Sequence, residues 1–303
     1  MRLSVTLFAL TAFAAAEEQL PSTSSVEQTP SDETLVVTAD RQPTTKASTT
    51  ASVTVLDADD DRQAGHAKSW TERLRRTPGV DLLSRAGGLD GGGLPGIRLR
   101  GTQSNADTQV LVDGIPWNDA TGLDGDPSLL SLQPAGIERI EVVRGAQSGL
   151  YGSRAVGGVV NLISDRPGEE HHGRLRLDGG SFNTLTADAA ASGPLLRGES
   201  QRPLVGYAVG VSAMDSDGFS ATTLARDGDP QGYEDDGLRR LGGNGRIEVN
   251  PNDATSLYAA AWLGAADHDF DDGSPDDTSA KKEEEMWRGA TGGTLALPLD
   301  SIL

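Results

Sequence analysis

From about Gly173 onward the sequence is a series of extended, two-faced runs, and this pattern limits the folds open to it. Residues 174–177, 185–191, 204–213, 239–249, 256–265 and 287–297 alternate apolar with polar or small side chains, the period of a strand. Long polar stretches, 215–237 and 267–285, separate some of them, and breaks as short as Pro251-Asn252-Asp253 separate others. Two-faced strands joined by alternating short and long connections are the signature of an outer-membrane barrel. A soluble sandwich, the other reading, favours tighter and more even connections. Six strands over residues 166–303 leave about 23 residues for each strand and its connection. A plugged barrel of ~22 strands then needs on the order of 500 residues. The expectation is a chain that stops before its barrel closes.

Residues 41–165 read differently, as short strands mixed with brief helix. Residues 52–56 form a strand, and Ser69 with Glu72 makes a capping box that opens a helix stopping before Pro78-Gly79. A Gly-rich stretch, 87–96, gives way to Ile97-Arg98-Leu99-Arg100-Gly101. Residues 110–115 are a strand entering a turn at Asp113-Gly114; residues 137–143 are another, ending at Arg144-Gly145; residues 159–163 are the last. The expectation is a small mixed α+β domain with one core.

Ahead of that domain, Arg2 precedes an apolar run over residues 3–16 that ends in small residues, the form of a secretory signal peptide. Residues 17–31 are polar and cannot bury enough apolar surface to offset the entropy of ordering. Within 17–40 a β-prone island, Glu33-Thr34-Leu35-Val36-Val37-Thr38-Ala39, stands between polar segments.

Composition removes several classes of function. A net charge of −19 leaves nothing to neutralise a run of phosphates, so nucleic acid is excluded as a partner. The absence of cysteine excludes a disulfide scaffold, a thiolate metal site and a cysteine nucleophile. Gly145-Ala146-Gln147-Ser148-Gly149 misses the G-x-S-x-G spacing, and residues 88–93 lack the lysine of a phosphate loop. His171 and His172 are adjacent, so on a strand they face opposite ways. No acid–base pair stands out, and the chain is read as not an enzyme.

Several segments occur together in a recognisable order: Leu74-Arg75-Arg76-Thr77-Pro78-Gly79-Val80, Ile97-Arg98-Leu99-Arg100-Gly101, Val112-Asp113-Gly114-Ile115 and Ile137-Glu138-Arg139-Ile140-Glu141-Val142-Val143-Arg144-Gly145. The most specific is Gly149-Leu150-Tyr151-Gly152-Ser153-Arg154-Ala155-Val156-Gly157-Gly158-Val159-Val160-Asn161. The chain thereby resembles the N-terminal part of TonB-dependent outer-membrane receptors, most of all their cobalamin-transporting members. The resemblance implies a signal peptide at 1–16, a flexible segment with a TonB box at 17–40, an α+β plug domain at 41–165, and the first antiparallel transmembrane β-barrel strands at 166–303. It implies an outer-membrane location, TonB as the energy-transducing partner, and a scarce small-molecule substrate.

Site residues follow from the same resemblance. Residues 33–39 look like the TonB box, a strand-prone tether that a partner can add to a sheet edge. Arg100 and Arg144 stand where the family pairs plug arginines with barrel-wall glutamates; solvated strand-end arginines are the other reading. Substrate contacts fall near Leu94, Gly96, Gln103, Leu123 and Asp124. Calcium, which accepts six to eight hard oxygens, is implied at Glu234, Asp236, Asp267, Asp269, Asp271 and Asp277; an acidic, solvated loop is the bland alternative. Ferric-siderophore or haem uptake is the alternative within the family, and a secreted β-rich adhesin or binding protein the alternative outside it.

Overall fold

The computed structural model describes residues 35–36, 44–45, 49–57, 70–83, 96–102, 105–118, 135–198, 203–218, 237–269 and 281–295. Two short strands, β1 (Leu35–Val36) and β2 (Thr44–Thr45), pair antiparallel with each other. A mixed domain follows, built from β3 (Ser52–Asp57), α1 (Trp70–Arg75), β4 (Val80–Leu83), β5 (Gly96–Leu99), β6 (Thr108–Val112), β7 (Ile115–Pro116), β8 (Ile137–Arg144), α2 (Ser148–Tyr151) and β9 (Gly158–Ser164). Its main sheet has the order β3-β8-β9-β6-β7, with β6 and β9 parallel and the other neighbours antiparallel.

Local chemistry accounts for most of these elements. Trp70 and Leu74 are four residues apart on α1, so they share one face, and both are buried. Arg73 and Arg75 occupy its last turn, where a cation suits the helix dipole. The helix ends at Arg75 because Pro78 disfavours a helical Thr77. Thr77 instead closes a turn, its N–H donating to Leu74 O at 2.9 Å and its hydroxyl to Arg73 O at 2.9 Å. Strand β4, which the sequence reading missed, starts just beyond and pairs with β5. In the sheet centre every residue of β6 and β9 is buried, as expected of strands covered on both faces. Glu141 is fully buried on β8, and Arg139 Nε donates to it at 2.9 Å.

The second part is a six-stranded antiparallel meander: β10 (His172–Gly179), β11 (Leu185–Arg197), β12 (Pro203–Ser216), β13 (Leu238–Asn252), β14 (Thr255–Asp269) and β15 (Lys281–Leu295). All six expected runs are present, mostly lengthened at both ends. The sheet is open, with β10 and β15 at its edges. Its long connections, 217–237 and 270–280, leave from the same end, and the tight turn at 253–254 lies at the other.

One face of this wall is apolar and exposed. Leu175, Leu177, Leu241, Leu263 and Trp287 all point outward, Trp287 with 81% of its surface exposed. Outward positions from Val205 to Ala213 on β12 span about 27 Å at ~3.4 Å per residue, near the roughly 25 Å apolar band of membrane barrels. Beyond that band the outward row turns charged, with Asp215, Arg239, Asp267 and Glu283 aligned in register. The opposite face meets the mixed domain. A single apolar cluster runs from Leu74, Ile97, Val110, Trp117, Ile140 and Leu162 into Ala260 and Trp262 of β14.

Candidate functional site

Domain and wall are fastened along one inward row of the sheet: Ala190, Gly210, Asn244, Trp262 and Arg288 are cross-strand neighbours on β11 to β15. Trp262 meets Trp117 edge to face, with centroids 6.2 Å apart and planes at 80°. The Arg288 guanidinium lies 4.5 Å over the Trp117 ring, a contact worth about 1–2 kcal/mol when desolvated. Arg288 Nη1 donates to Pro116 O, and Nη2 to Trp117 O at 3.3 Å. From below, Trp117 N–H donates to Val110 O at 2.8 Å. Asn118 is locked next to it: its Oδ1 accepts from Val110 N at 2.8 Å and from Gln109 Nε2 at 2.6 Å.

The same row makes a second contact through Asn244. Gly136 has φ +75°, and a Cβ there would sit 2.5 Å from Asn244 Oδ1. A Cβ on Gly210 would come 2.8 Å from Ala135 O. Only glycine at both positions lets the Asn244 amide seat against the Ala135–Gly136 turn. None of the residues Trp117, Asn244, Trp262 and Arg288 was singled out from sequence. Strand parity was the available signal for Trp262: with Leu257 and Leu263 outward, residue 262 must point inward.

Arg100 and Arg144, expected as plug–barrel contacts, lie close to each other. A Cβ on Gly145 would lie 3.4 Å from Arg100 Nη1, and one on Gly79 would lie 3.6 Å from Arg144 Nε. Arg100 itself has φ +54°. Arg144 Nη1 donates to Thr54 Oγ1 at 2.9 Å. Burial, and then the like charge of Arg100, hold the Arg144 pKa below its ordinary value. Among the described residues no ion pair to either arginine is present. The pair is therefore a concentration of positive charge inside an acidic chain.

Where the domain runs into β10, a hollow of about 380 Å³ is lined by Glu138, Asp165, Arg166, His172 and Arg174. Arg174 is ion-paired with Asp165 across it. Burial pushes the Glu138 carboxyl above its ordinary pKa, against the opposing pull of Arg139.

The other sequence-predicted positions fall as follows. Leu35 and Val36 form β1. Gly96 opens β5, buried and paired with Leu83. Asp267 and Asp269 lie on β14 instead of in a connection, because pairing with β15 continues to Asp269; Asp267 is exposed, in register with Arg239 and Glu283. Glu33, Thr34, Val37, Thr38, Ala39, Leu94, Gln103, Leu123, Asp124, Glu234, Asp236, Asp271 and Asp277 lie outside the described residues, as does the expected signal peptide. Among the described residues no group of three or more His, Asp or Glu side chains is placed to hold a metal ion.

Residues 45–159 match the TonB-dependent Receptor Plug Domain family. The chain is also 32% identical, over 296 residues, to the vitamin B12 transporter BtuB of Photobacterium profundum, an alignment covering 96% of this chain and 45% of that one. The chain belongs to the TonB-dependent receptors. It spans less than half the length of that curated relative. Among solved structures, the ferric yersiniabactin uptake receptor FyuA of Yersinia pestis superposes with a TM-score of 0.58 at 23% identity, covering 80% of this chain and 37% of that one. Pyoverdine-bound FpvA of P. aeruginosa gives 0.60 at 20% identity, covering 86% and 33%. At these identities the likeness speaks for the fold, a plug domain followed by antiparallel barrel strands. The mixed domain is thus the plug and the meander the start of the barrel wall, placing this receptor in the outer membrane with Leu241, Leu263 and Trp287 facing lipid.

Proposed function

We propose that the receptor containing this chain takes up cobalamin or another corrinoid across the outer membrane, driven by TonB. The observation that carries this reading is the 32% identity to a vitamin B12 transporter, which extends through plug and wall alike. In this reading the substrate contacts fall near Leu94, Gly96, Gln103, Leu123 and Asp124, of which Gly96 is itself buried at the start of β5. Direct titration of the complete receptor with cyanocobalamin and with ferric siderophores tests it. Saturable binding of the corrinoid alone is the expected result. Binding of a ferric siderophore alone overturns it in favour of iron uptake.

Energy enters through residues 33–39. Leu35 and Val36 pair as a strand with Thr44 and Thr45, so this backbone is competent for the strand addition by which TonB would seize it. Proline at the centre of the segment removes a ladder donor. Val36→Pro is expected to abolish energised uptake while leaving substrate binding at the outer face unchanged, and uptake at the normal rate would remove the box from this position.

Calcium would be held by Glu234, Asp236, Asp267, Asp269, Asp271 and Asp277, whose carboxylates are the hard oxygens it prefers. Of these, only Asp267 has a described side chain, and it is exposed at the charged end of the wall. Limited proteolysis of the complete receptor with and without calcium tests the site. Protection of 219–236 and 270–280 by calcium is expected, and cleavage unaffected by calcium removes the site.

A further inference from the structure

The wall row Asn244, Trp262 and Arg288 touches the plug at two neighbouring places along the sheet that lie well apart in the plug sequence. Trp262 and Arg288 hold Pro116 and Trp117; Asn244 holds Ala135 and Gly136. These are the two ends of residues 119–134, the stretch that includes Leu123 and Asp124. Both ends are tied down on the plug side as well, by Trp117 N–H to Val110 O and by Asp165 N–H to Gly136 O, each 2.8 Å. One strip of the barrel thus grips both feet of a single plug segment.

The two grips differ in chemistry. At the first, a cation lies on the indole face and donates to two successive carbonyls, so backbone position and ring orientation are fixed together. At the second the fit is steric, an amide seated over a glycine turn with no Cβ to displace it. Asn244 Oδ1 and Trp262 Nε1 are buried and have no hydrogen-bond partner among the described residues. Each grip therefore carries one buried polar atom, an acceptor at Asn244 and a donor at Trp262, and buried polar atoms of that kind call for partners.

We propose that Asn244, Trp262 and Arg288 are positioning residues for cargo binding: by holding Pro116–Trp117 and Ala135–Gly136 to one row of the wall, they set the affinity of the receptor for its cargo. This rests on the reading of the chain as part of a corrinoid receptor.

The test uses the full-length receptor and two readouts, backbone hydrogen exchange and cargo titration. Arg288→Ala is expected to speed exchange at Trp117, and Asn244→Ala at Asp165, while amides of β12 and β13 keep their protection, which controls for folding. Arg288→Ala is expected to weaken cyanocobalamin binding about tenfold, the scale of one lost charge-assisted contact, and Asn244→Ala, which loses a steric contact, about threefold. Arg288→Lys, which keeps the charge and a donor but not the planar fork, is expected to recover only part of the Arg288→Ala loss. Faster exchange with unchanged affinity overturns the proposal, and so does unchanged exchange. A wild-type receptor that binds no corrinoid but binds a ferric siderophore overturns the cargo assignment instead. The same variants are then scored against the siderophore, and the same two outcomes decide.

Discussion

Ser164 and Asp113, 51 residues apart, are joined by two hydrogen bonds: the Ser164 N–H donates to Asp113 Oδ1 at 2.9 Å and its hydroxyl to Oδ2. Asp113 has φ +50° and Gly114 φ +79°, so the pair forms the turn between β6 and β7 while the carboxylate ties it to the end of β9. Asp113→Ala loses both bonds and leaves a β-carbon residue in the left-handed region. The expected cost is roughly 2–4 kcal/mol of plug stability. Asp113→Asn keeps an acceptor and tolerates the conformation, so about half that loss is expected. Chemical denaturation of the receptor, followed by tryptophan emission, measures both.

Two glycines of positive φ should respond very differently to alanine. Gly114 has open space where a Cβ would go, so Gly114→Ala carries only the conformational strain, about 1–2 kcal/mol. At Gly158, φ is +145° and a Cβ would collide with the Val143 carbonyl and the Leu99 side chain. Gly158→Ala must separate β8 from β9 where they begin to pair, and a loss above ~3 kcal/mol is expected. Equal losses in the two variants would show that the close approach at Gly158 does not hold in solution.

Glu138 gives the plug a pH dependence of a definite sign. Its folded pKa is raised above the ordinary 4.5, first by burial and further by Asp165, with Arg139 and Arg166 opposing. Between 4.5 and the raised value the folded state holds more protons than the unfolded one, so stability falls as pH rises through that window. Glu138→Gln should flatten this part of the profile. Thermal unfolding of variant and wild type from pH 4 to 8 checks it; parallel profiles would assign the slope to other groups.

The four tryptophans report separately on lipid and plug. Trp70, Trp117 and Trp262 are buried, whereas Trp287 is 81% exposed on the outward face. In vesicles of brominated lipid, the emission that the complete receptor loses to quenching should fall in Trp287→Phe and be unchanged in Trp70→Phe. A quenched fraction unchanged by Trp287→Phe would place Trp287 away from lipid.

The strands were legible in the sequence because strand period and parity survive in a two-faced sheet: residues 239–249 and 256–265 needed only to be extended to become β13 and β14. What extended them was pairing with a neighbour, which no local pattern contains, and this carried Asp267 and Asp269 out of a connection and onto a strand. Strand β4 was missed because Val80-Asp81-Leu82-Leu83 is too short to show a period; it exists through its partner β5. The motifs drew attention to Arg100 and Arg144 but did not contain their nearness to each other, which arises where Gly79 and Gly145 leave room for the two side chains. The row Asn244, Trp262 and Arg288 was not legible, because its members lie on three strands and become one feature only after the register is set.

The parallel pairing of β6 with β9 governs the order in which the parts of this chain can form. Each strand of the meander bonds to its neighbour in sequence, so the wall can grow hairpin by hairpin as the chain lengthens. In the plug, β3 waits for β8, and β6 joins β9 only after some fifty residues have intervened. Contacts of that separation cost loop-closure entropy before they return any stabilisation, which slows folding. Within these residues the pairings of the wall are thus local in sequence and those of the plug are not. The grip of Arg288 on Trp117 joins a part built from neighbouring strands to one built from distant ones.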